Sequence, residues 1–240
     1  MDGQVGAQQG DQQGAHQNGM RIPAAPQAWL KSVAAVFLPP GVRLALAVAH
    51  SQGPYAFEDR IINSLGPPSA VQAWIDLITY ITIPAIALAL AVSVIVGLLR
   101  RALRRVVAYA ALAGVIFLLI EYVAKPLVHR SDGGFLTFPS GHVTAVCATA
   151  LAMCLALFPL LGEWARHITL ALGVGWVLLI SLAVVGGLWD TPVDVVGSIL
   201  LSIGIVAAGG LVIESIVPVH PSKPRMTRAH TLHAPFGRTP

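Results

Sequence analysis

Charged side chains are scarce in this 240-residue sequence. Asp, Glu, Lys and Arg make up 11% of the residues, whereas hydrophobic residues make up 55%. Soluble domains carry roughly a quarter charged residues. A soluble fold of this length would have too little polar surface to cover so much apolar surface. The scarcity of charge therefore excludes a soluble protein and predicts an integral membrane protein.

Cysteine is also scarce, with Cys147 and Cys154 the only two in the sequence. They lie in one apolar run, and on a helix their spacing is about 10 Å along the axis, which is too far for a disulfide. The chain thus has no disulfide framework. Its net charge of +4 does not indicate nucleic-acid binding, because the basic residues lie at the ends of apolar runs, as they do in membrane proteins.

Long apolar segments are abundant. About 20 apolar residues cross a bilayer as a helix, and no β-type alternation occurs, so the sequence predicts an all-α, polytopic bundle of about six transmembrane helices. The first segment is interrupted by Pro39, Pro40 and Arg43, which predicts either a kinked span or an interfacial helix. The six predicted segments are Val33–Ala49, Leu77–Leu99, Val106–Ala124, His142–Leu161, Ile168–Leu188 and Val195–Ile213.

The basic residues predict the orientation of the bundle. Four arginines, at positions 100, 101, 104 and 105, lie in one short connection, which the positive-inside rule assigns to the cytoplasm. Both termini are then cytoplasmic, and three connections face outward: residues 50–76, 125–141 and 189–194.

The sequence divides into three parts. We expect a disordered N-terminal tail (1–27), a transmembrane domain (28–217) and a basic tail (218–240). We expect the protein to lie in a bacterial plasma membrane.

The outward connections carry the residues with interesting chemistry. Ser140 is a suitable N-cap for the fourth segment, Gly141 allows a ligand to approach the backbone closely, and His142 follows as the helix opens. A helix N-terminus binds anions through its free N–H groups. Lys125 and Arg130 lie shortly upstream and add positive charge. This combination predicts a phosphate-binding site on the outer face.

The segment Pro139-Ser140-Gly141-His142 resembles the central motif of the type 2 phosphatidic acid phosphatase (PAP2) superfamily, which shares its site with vanadium haloperoxidases. The resemblance covers about residues 50–215 and implies a six-helix, PAP2-like membrane fold. It implies that His142 is the general acid for the leaving group and that Ser140 and Gly141 hold phosphate. Lys125 matches the first position of an upstream motif, Lys-x6-Arg-Pro, that supplies phosphate-binding cations.

The sequence departs from the family pattern at several positions. Asp132 and Gly133 stand where the upstream motif has Arg-Pro, so Arg130 is expected to take over phosphate binding. The third motif, Arg-x5-His-x3-Asp, aligns on Asp194, which in the family holds the attacking imidazole. Asp190 then replaces the histidine nucleophile, and Val184 replaces the arginine.

These departures leave two hypotheses open. In the first, the chain is a lipid-phosphate phosphatase that acts on an isoprenoid or glycerolipid phosphomonoester or pyrophosphate, with Asp190 or else His129 as nucleophile. In the second, it is a catalytically degenerate protein that binds lipid phosphate or scaffolds a membrane-protein partner. Both imply contact with membrane lipids and a lipid phosphate. We expect no cofactor, no metal and no nucleic acid.

Two acidic positions in the outer half of the bundle remain to be interpreted. Glu121 lies one helical turn before Lys125, and this spacing predicts an ion pair that satisfies both charges at the membrane interface. Glu58 belongs to the charged run Glu58-Asp59-Arg60. We expect that run to form the solvated face of a short interfacial helix.

Overall fold

The computed structural model describes residues 25–65, 69–132 and 134–217. The predicted tails, 1–27 and 218–240, lie outside these ranges except for residues 25–27, which begin the first helix. The α-helices and strands that follow are α1 Ala25–Val48, α2 Ala56–Leu65, α3 Ser69–Tyr80, α4 Thr82–Leu99, α5 Leu103–Leu119, α6 Lys125–Val128, β1 Ser131–Asp132, β2 Phe135–Leu136, α7 Gly141–Leu157, α8 Glu163–Gly186 and α9 Pro192–Ile216. A π-helical turn, Ile120–Ala124, joins α5 to α6.

Within the described residues, six helical stretches are long and apolar enough to cross a membrane. The predicted all-α membrane bundle is therefore confirmed. The second span combines α3 and α4, and the third continues from α5 through the π-helical turn into α6. The six stretches are Gln27–Val48, Gln72–Leu99, Leu103–Val128, Gly141–Leu160, Glu163–Gly186 and Pro192–Ile216.

The first span is a single helix despite its two prolines. Helix α1 continues through Pro39 and Pro40, although each proline removes one backbone hydrogen bond. Its neighbour α9 supports it closely, since a Cβ placed on Gly204 would lie 2.8 Å from the Leu38 backbone. Small residues permit such close approach between helices in lipid. Packing against α9 thus stabilises a helix that the sequence alone left uncertain.

Helix α7 lies at the centre of the bundle and packs against α4, α5, α8 and α9. Most of its side chains are buried, including Val143, Val146 and Ala148. Both Cys147 and Cys154 are buried free thiols on this helix. Because neighbouring helices surround α7, its first residues are held firmly at one end of the bundle.

The two ends of the bundle differ in character. At one, which we call the loop end, residues 49–57, 125–132, 134–142 and 187–194 meet, and the His50 N–H donates to the Val128 carbonyl oxygen at 2.8 Å. At the other, the arginine end, Arg105 donates to both Glu214 carboxylate oxygens, at 2.5 and 2.9 Å. The residues with candidate catalytic chemistry lie at the loop end.

Candidate active site

The N-terminus of α7 forms the floor of the candidate site. Ser140 has an extended backbone conformation, and its hydroxyl accepts a hydrogen bond from the Val143 N–H at 3.3 Å, as expected of an N-cap. Helix α9 also contacts the start of α7, since the Ser198 hydroxyl lies 3.2 Å from the Ser140 carbonyl oxygen, within hydrogen-bonding distance. The helix start that the sequence predicted is therefore present and rigidly held.

Asp190 lies beside this helix start. The Ser140 hydroxyl donates to an Asp190 carboxylate oxygen at 2.6 Å. The turn that carries Asp190 is closed by hydrogen bonds from the Trp189 and Asp190 N–H groups to the Val184 carbonyl oxygen, at 2.9 and 3.3 Å. Burial raises the pKa of Asp190 to about 6, with the Ser140 hydrogen bond opposing that rise and the charge of Asp194 adding to it.

Glu121 and Lys125 lie over the first turn of α7 as an ion pair, with Lys125 Nζ 3.0 Å from the Glu121 carboxylate. The predicted pair is confirmed. A Cβ placed on Gly141 would lie 2.8 Å from Glu121 Oε2 and 3.5 Å from Lys125 Nζ. A larger residue at position 141 would therefore require the Glu121 carboxylate to move away from the helix start, whereas Lys125 would be in ordinary contact.

A π-helical turn includes Glu121 and directly precedes Lys125. It spans Ile120–Ala124 and ends directly before Lys125 and Pro126. Proline has no N–H to donate to the preceding turn, and π-helical turns occur often at functional sites. Widening of the helix at this point changes the direction in which Glu121 and Lys125 project relative to a regular α-helix.

His142 is exposed at the N-terminus of α7. Its ring lies next to the Trp189 indole, with ring centroids 5.5 Å apart and planes inclined by 49°. Trp189 directly precedes Asp190, so the same turn supplies a neighbour for the imidazole and a carboxylate for Ser140. His142 and Asp190 thus flank the helix start.

Arg130 is enclosed behind this site. Its guanidinium donates to Glu58 at 2.7 Å and to Asp194 at 3.0 Å, it lies over the Tyr55 ring at 5.2 Å, and it is only 1% exposed. The structure therefore does not bring Arg130 to the surface of the α7 N-terminus with Lys125. Contact between Arg130 and phosphate requires these buried bonds to rearrange.

The Asp194 carboxylate accepts several hydrogen bonds. It is fully buried, and besides Arg130 its carboxylate accepts from the Thr191 backbone N–H at 3.0 Å and hydroxyl at 2.9 Å. These bonds complete the capping box at the start of α9. Asp194 therefore fixes the turn that carries Asp190, and no hydrogen bond to an imidazole is present among the described residues.

Glu58 was wrongly expected on a solvated face. It is fully buried, and besides its bond with Arg130 it accepts from the Val193 N–H at 3.0 Å and the Tyr55 N–H at 2.8 Å. Burial would raise the pKa of Glu58, but the hydrogen bonds that it accepts outweigh this effect and lower the pKa. The sequence analysis did not distinguish Glu58 from Asp59, because the partners that bury Glu58, Arg130 and Val193, are distant in the chain.

His129, the alternative nucleophile, lies in a different setting. Its backbone is in the left-handed region, with φ of 51°, and its ring lies beside that of His50 with centroids 6.1 Å apart. Its side chain forms no hydrogen bond with another described residue. Across the part of the chain that the structure describes, no group of three or more His, Cys, Asp or Glu side chains could hold a metal ion.

Comparison with known proteins tests the family resemblance that the sequence indicated. The family model of the PAP2 superfamily matches residues 118–213, a range that includes Lys125, the Ser140–His142 segment and Asp190. The resemblance to the PAP2 superfamily is confirmed. No curated protein sequence matches the chain.

The fold is also that of a solved PAP2 structure. A transmembrane PAP2-type phosphatidylglycerolphosphate phosphatase from Bacillus subtilis superimposes with a TM-score of 0.64 at 16% sequence identity. The alignment covers 78% of this chain and 99% of that protein. At this identity the likeness establishes a shared fold, and it leaves the role of each side chain to be argued from the geometry.

Proposed function

We propose that this protein is an integral membrane lipid-phosphate phosphatase that hydrolyses a phosphomonoester or pyrophosphate of an isoprenoid or glycerolipid at the extracytoplasmic face. One observation carries the proposal: Lys125, His142 and Asp190 converge on the N-terminus of α7. The PAP2 match and the likeness to a phosphatidylglycerolphosphate phosphatase support this reaction class.

Phosphate binding begins at the first turn of α7. The first N–H groups of a helix lack intrahelical partners, and the helix dipole favours an anion there. Lys125 adds a cation whose side chain is 14% exposed and lies over Gly141. The ammonium group and the backbone N–H groups then share the phosphate oxygens, and Gly141 leaves room for them.

The proposed chemical step uses the two groups that flank this site. A carboxylate oxygen of Asp190 attacks phosphorus while the bond from phosphorus to the lipid oxygen breaks, and protonated His142 gives its proton to that oxygen. Water then attacks the aspartyl-phosphate, and His142 takes a proton from it. Inorganic phosphate leaves, and both side chains return to their starting states.

We favour Asp190 over His129 as the nucleophile. The Asp190 carboxylate accepts a hydrogen bond from the N-cap residue Ser140. Asp190 also follows Trp189, whose ring lies next to that of His142. Asp194 has a positioning role in this scheme, because it holds Thr191 next to Asp190 through two hydrogen bonds. Orientation of a reacting group in this way contributes strongly to catalysis.

One observation favours the second hypothesis, a catalytically degenerate protein that binds lipid phosphate. Arg130 is engaged by Glu58 and Asp194, and Lys125 is paired with Glu121, so few cations are free to stabilise the charge that develops on a transferring phosphoryl group. Binding without turnover is the outcome if these pairs persist when the lipid is present.

The test is phosphate release by the purified full-length protein in detergent, with polyprenyl phosphate, polyprenyl pyrophosphate, phosphatidic acid and phosphatidylglycerol phosphate as substrates. We expect release from at least one substrate and its loss in His142→Ala and Asp190→Ala. The matched controls are His167→Ala and Asp59→Ala, which change exposed residues outside the site. Lipid-phosphate binding without release from any substrate would establish the degenerate alternative.

The orientation requires a separate test. The four arginines at positions 100, 101, 104 and 105 lie at the end of the bundle opposite to the candidate site, and the positive-inside rule then supports cytoplasmic termini and an outward-facing site. A cysteine introduced by Ser131→Cys in intact cells is expected to react with a membrane-impermeant maleimide. Reaction only after lysis would reverse the orientation.

A further inference from the structure

A cavity lies at the arginine end of the bundle, far from the candidate site. It has a volume of about 900 Å³, which is within the range of ligand-binding pockets. We call it the arginine pocket. Its lining comes from the α4–α5 connection, the segment after α7 and the end of α9, and consists of Leu98, Arg100, Arg101, Ala102, Leu103, Arg104, Arg105, Leu160, Ile216 and Val217.

The tight connection between α4 and α5 gathers the arginines on one wall. The Ala102 N–H donates to the Gly97 carbonyl oxygen at 2.7 Å, and Arg101 takes a left-handed conformation with φ of 55°. A Cβ on Gly97 would lie 2.9 Å from Val106 Cγ2, so the two helices meet closely at this turn. The turn is therefore defined by backbone contacts, and four guanidinium groups project from a short stretch of chain.

Among the described residues, partners for the guanidinium group are found for one of these arginines, Arg105. Arg105 is 6% exposed, binds Glu214, and donates to the carbonyl oxygens of Leu155 and Ala156 at the end of α7. Its charge is thus internally compensated, and it anchors α5 to α7 and α9. Glu214 also accepts a hydrogen bond from the Tyr109 hydroxyl at 2.7 Å, so it is fully engaged.

The remaining three, Arg100, Arg101 and Arg104, are exposed. No ion pair or side-chain hydrogen bond joins them to another residue in the ranges 25–65, 69–132 and 134–217. The chain that follows Val217 adds Lys223, Arg225, Arg228 and Arg238 and contains no Asp or Glu. Residues 218–240 therefore carry no acidic side chain that could pair with these arginines.

The rest of the lining is apolar. Ile216 is 70% exposed, Leu98 is 56% exposed, and Leu103 and Leu160 complete the rim. A ligand that fits this surface must be negatively charged where it meets the arginines and apolar where it meets the rim. A soluble anion satisfies only the first requirement, whereas a phospholipid with an anionic headgroup satisfies both.

We propose that the arginine pocket binds the phosphate headgroup of an anionic phospholipid from the leaflet on that side of the membrane. Arginine matches phosphate through paired N–H donors, and the acyl chains lie along the exposed apolar rim. This site is separate from the α7 N-terminus, so it does not depend on hydrolysis. It makes the lipid a resident ligand of the protein and not its substrate.

The test measures lipid retention on the purified full-length chain carrying His142→Ala, so that turnover cannot contribute. Native mass spectrometry compares retained phosphatidylglycerol with retained phosphatidylcholine. We expect phosphatidylglycerol to be preferred, and expect each of Arg100→Gln, Arg101→Gln and Arg104→Gln to weaken its retention about fivefold. The matched control, Arg166→Gln, changes an exposed arginine outside the pocket and should leave retention unchanged.

Two further results would contradict the proposal. Excess inorganic phosphate should not displace the lipid; displacement would make the pocket a site for small anions and overturn the proposal. Retention that is equal for the two lipids, or that survives all three single substitutions, would also overturn it. Single variants are used because a combined variant at the α4–α5 turn can fail to fold for unrelated reasons.

Discussion

The Ser140 hydroxyl donates a 2.6 Å hydrogen bond to the Asp190 carboxylate while it caps the first turn of α7. One side chain thus connects the start of α7, where we propose that phosphate binds, to Asp190, the proposed nucleophile. The N-terminus of α7 favours a nearby negative charge, which stabilises the ionised form of Asp190. Burial destabilises that form. The ionisation of Asp190 is the property on which the first two predictions depend.

Replacing Asp190 with Asn should stabilise the protein at neutral pH while abolishing phosphate release. Burial raises the pKa of Asp190 from 3.8 to about 6, so the folded state binds this proton more tightly than the unfolded state does. Stability therefore falls as pH rises from about 4 to about 6 and remains lower above that. Asn carries no charge, and we expect a gain of about 1–3 kcal/mol at pH 8.

The measurement is thermal unfolding in detergent across this pH range. The gain from Asp190→Asn should disappear near pH 4, where Asp190 is protonated in both states. Asp59→Asn is the control, since Asp59 is exposed. An equal gain at pH 4 and pH 8 would show that burial of the charge is not the cause.

Phosphate release should depend on pH through the same group. Only ionised Asp190 can attack phosphorus, so activity should rise as pH increases through about 6. The expected profile of kcat/KM therefore rises through an acid limb near that value and falls again at higher pH, where His142, the proposed general acid, has lost its proton. The Ser140→Ala variant removes a hydrogen bond that lowers the Asp190 pKa and should move this limb to higher pH. A limb that stays in place in Ser140→Ala would contradict the assignment to Asp190.

Glu121→Gln should strengthen the binding of inorganic phosphate. The Glu121 carboxylate lies against Gly141 at the start of α7 and pairs with Lys125, so it competes with a phosphate for the same cation and helix terminus. Removing its charge should lower the dissociation constant about fivefold. Isothermal titration with phosphate checks this, with Glu163→Gln at the other end of the bundle as control. Weaker binding would instead indicate that Glu121 orients Lys125.

The contrast between local and distant contacts explains which parts of this site could be predicted from sequence. The Ser140 N-cap and the Glu121–Lys125 pair depend on residues three or four positions apart, and helical geometry specifies them directly. Arg130 was expected to bind phosphate because it is a basic residue close to Lys125 and the upstream motif lacks its own arginine. Its actual partner Glu58 lies 72 positions away, and helical periodicity does not report such contacts.

The fold shows the same division. Apolar length was sufficient to predict the spans, because the bilayer sets their number of residues. The continuity of α1 through Pro39 and Pro40 was left open, since it depends on packing between Leu38 and Gly204. The π-helical turn before Lys125 was not predicted, because the sequence there reads as a regular helix that ends near Pro126.

Arg130→Gln should destabilise the protein more than it weakens phosphate binding. The substitution leaves the buried carboxylates of Glu58 and Asp194 facing each other without a cation, a situation that costs about 3–5 kcal/mol. Thermal unfolding measures the loss, and Arg60→Gln on the exposed face of α2 is the control. Adding Glu58→Gln to Arg130→Gln should restore part of the stability. Unchanged stability with a large loss of phosphate affinity would show that Arg130 is a ligand of phosphate.

Gly141→Ala should impair catalysis without unfolding the bundle. Alanine favours a helix, but its Cβ would lie 2.8 Å from Glu121 Oε2, so the Glu121 carboxylate must move away from the helix start. We expect Lys125, its ion-pair partner, to move with it. Displacement of a phosphate-binding cation by about 1 Å can reduce the rate about 100-fold. The control is Gly175→Ala in α8, where a Cβ meets no atom within 4 Å, and kcat/KM should be unchanged. Shortening the obstructing side chain by Glu121→Ala in the Gly141→Ala background should recover part of the activity, because Lys125 can then return toward α7. Failure of that second substitution to recover any activity would show that the backbone at position 141, and not the ion pair above it, is what the reaction requires.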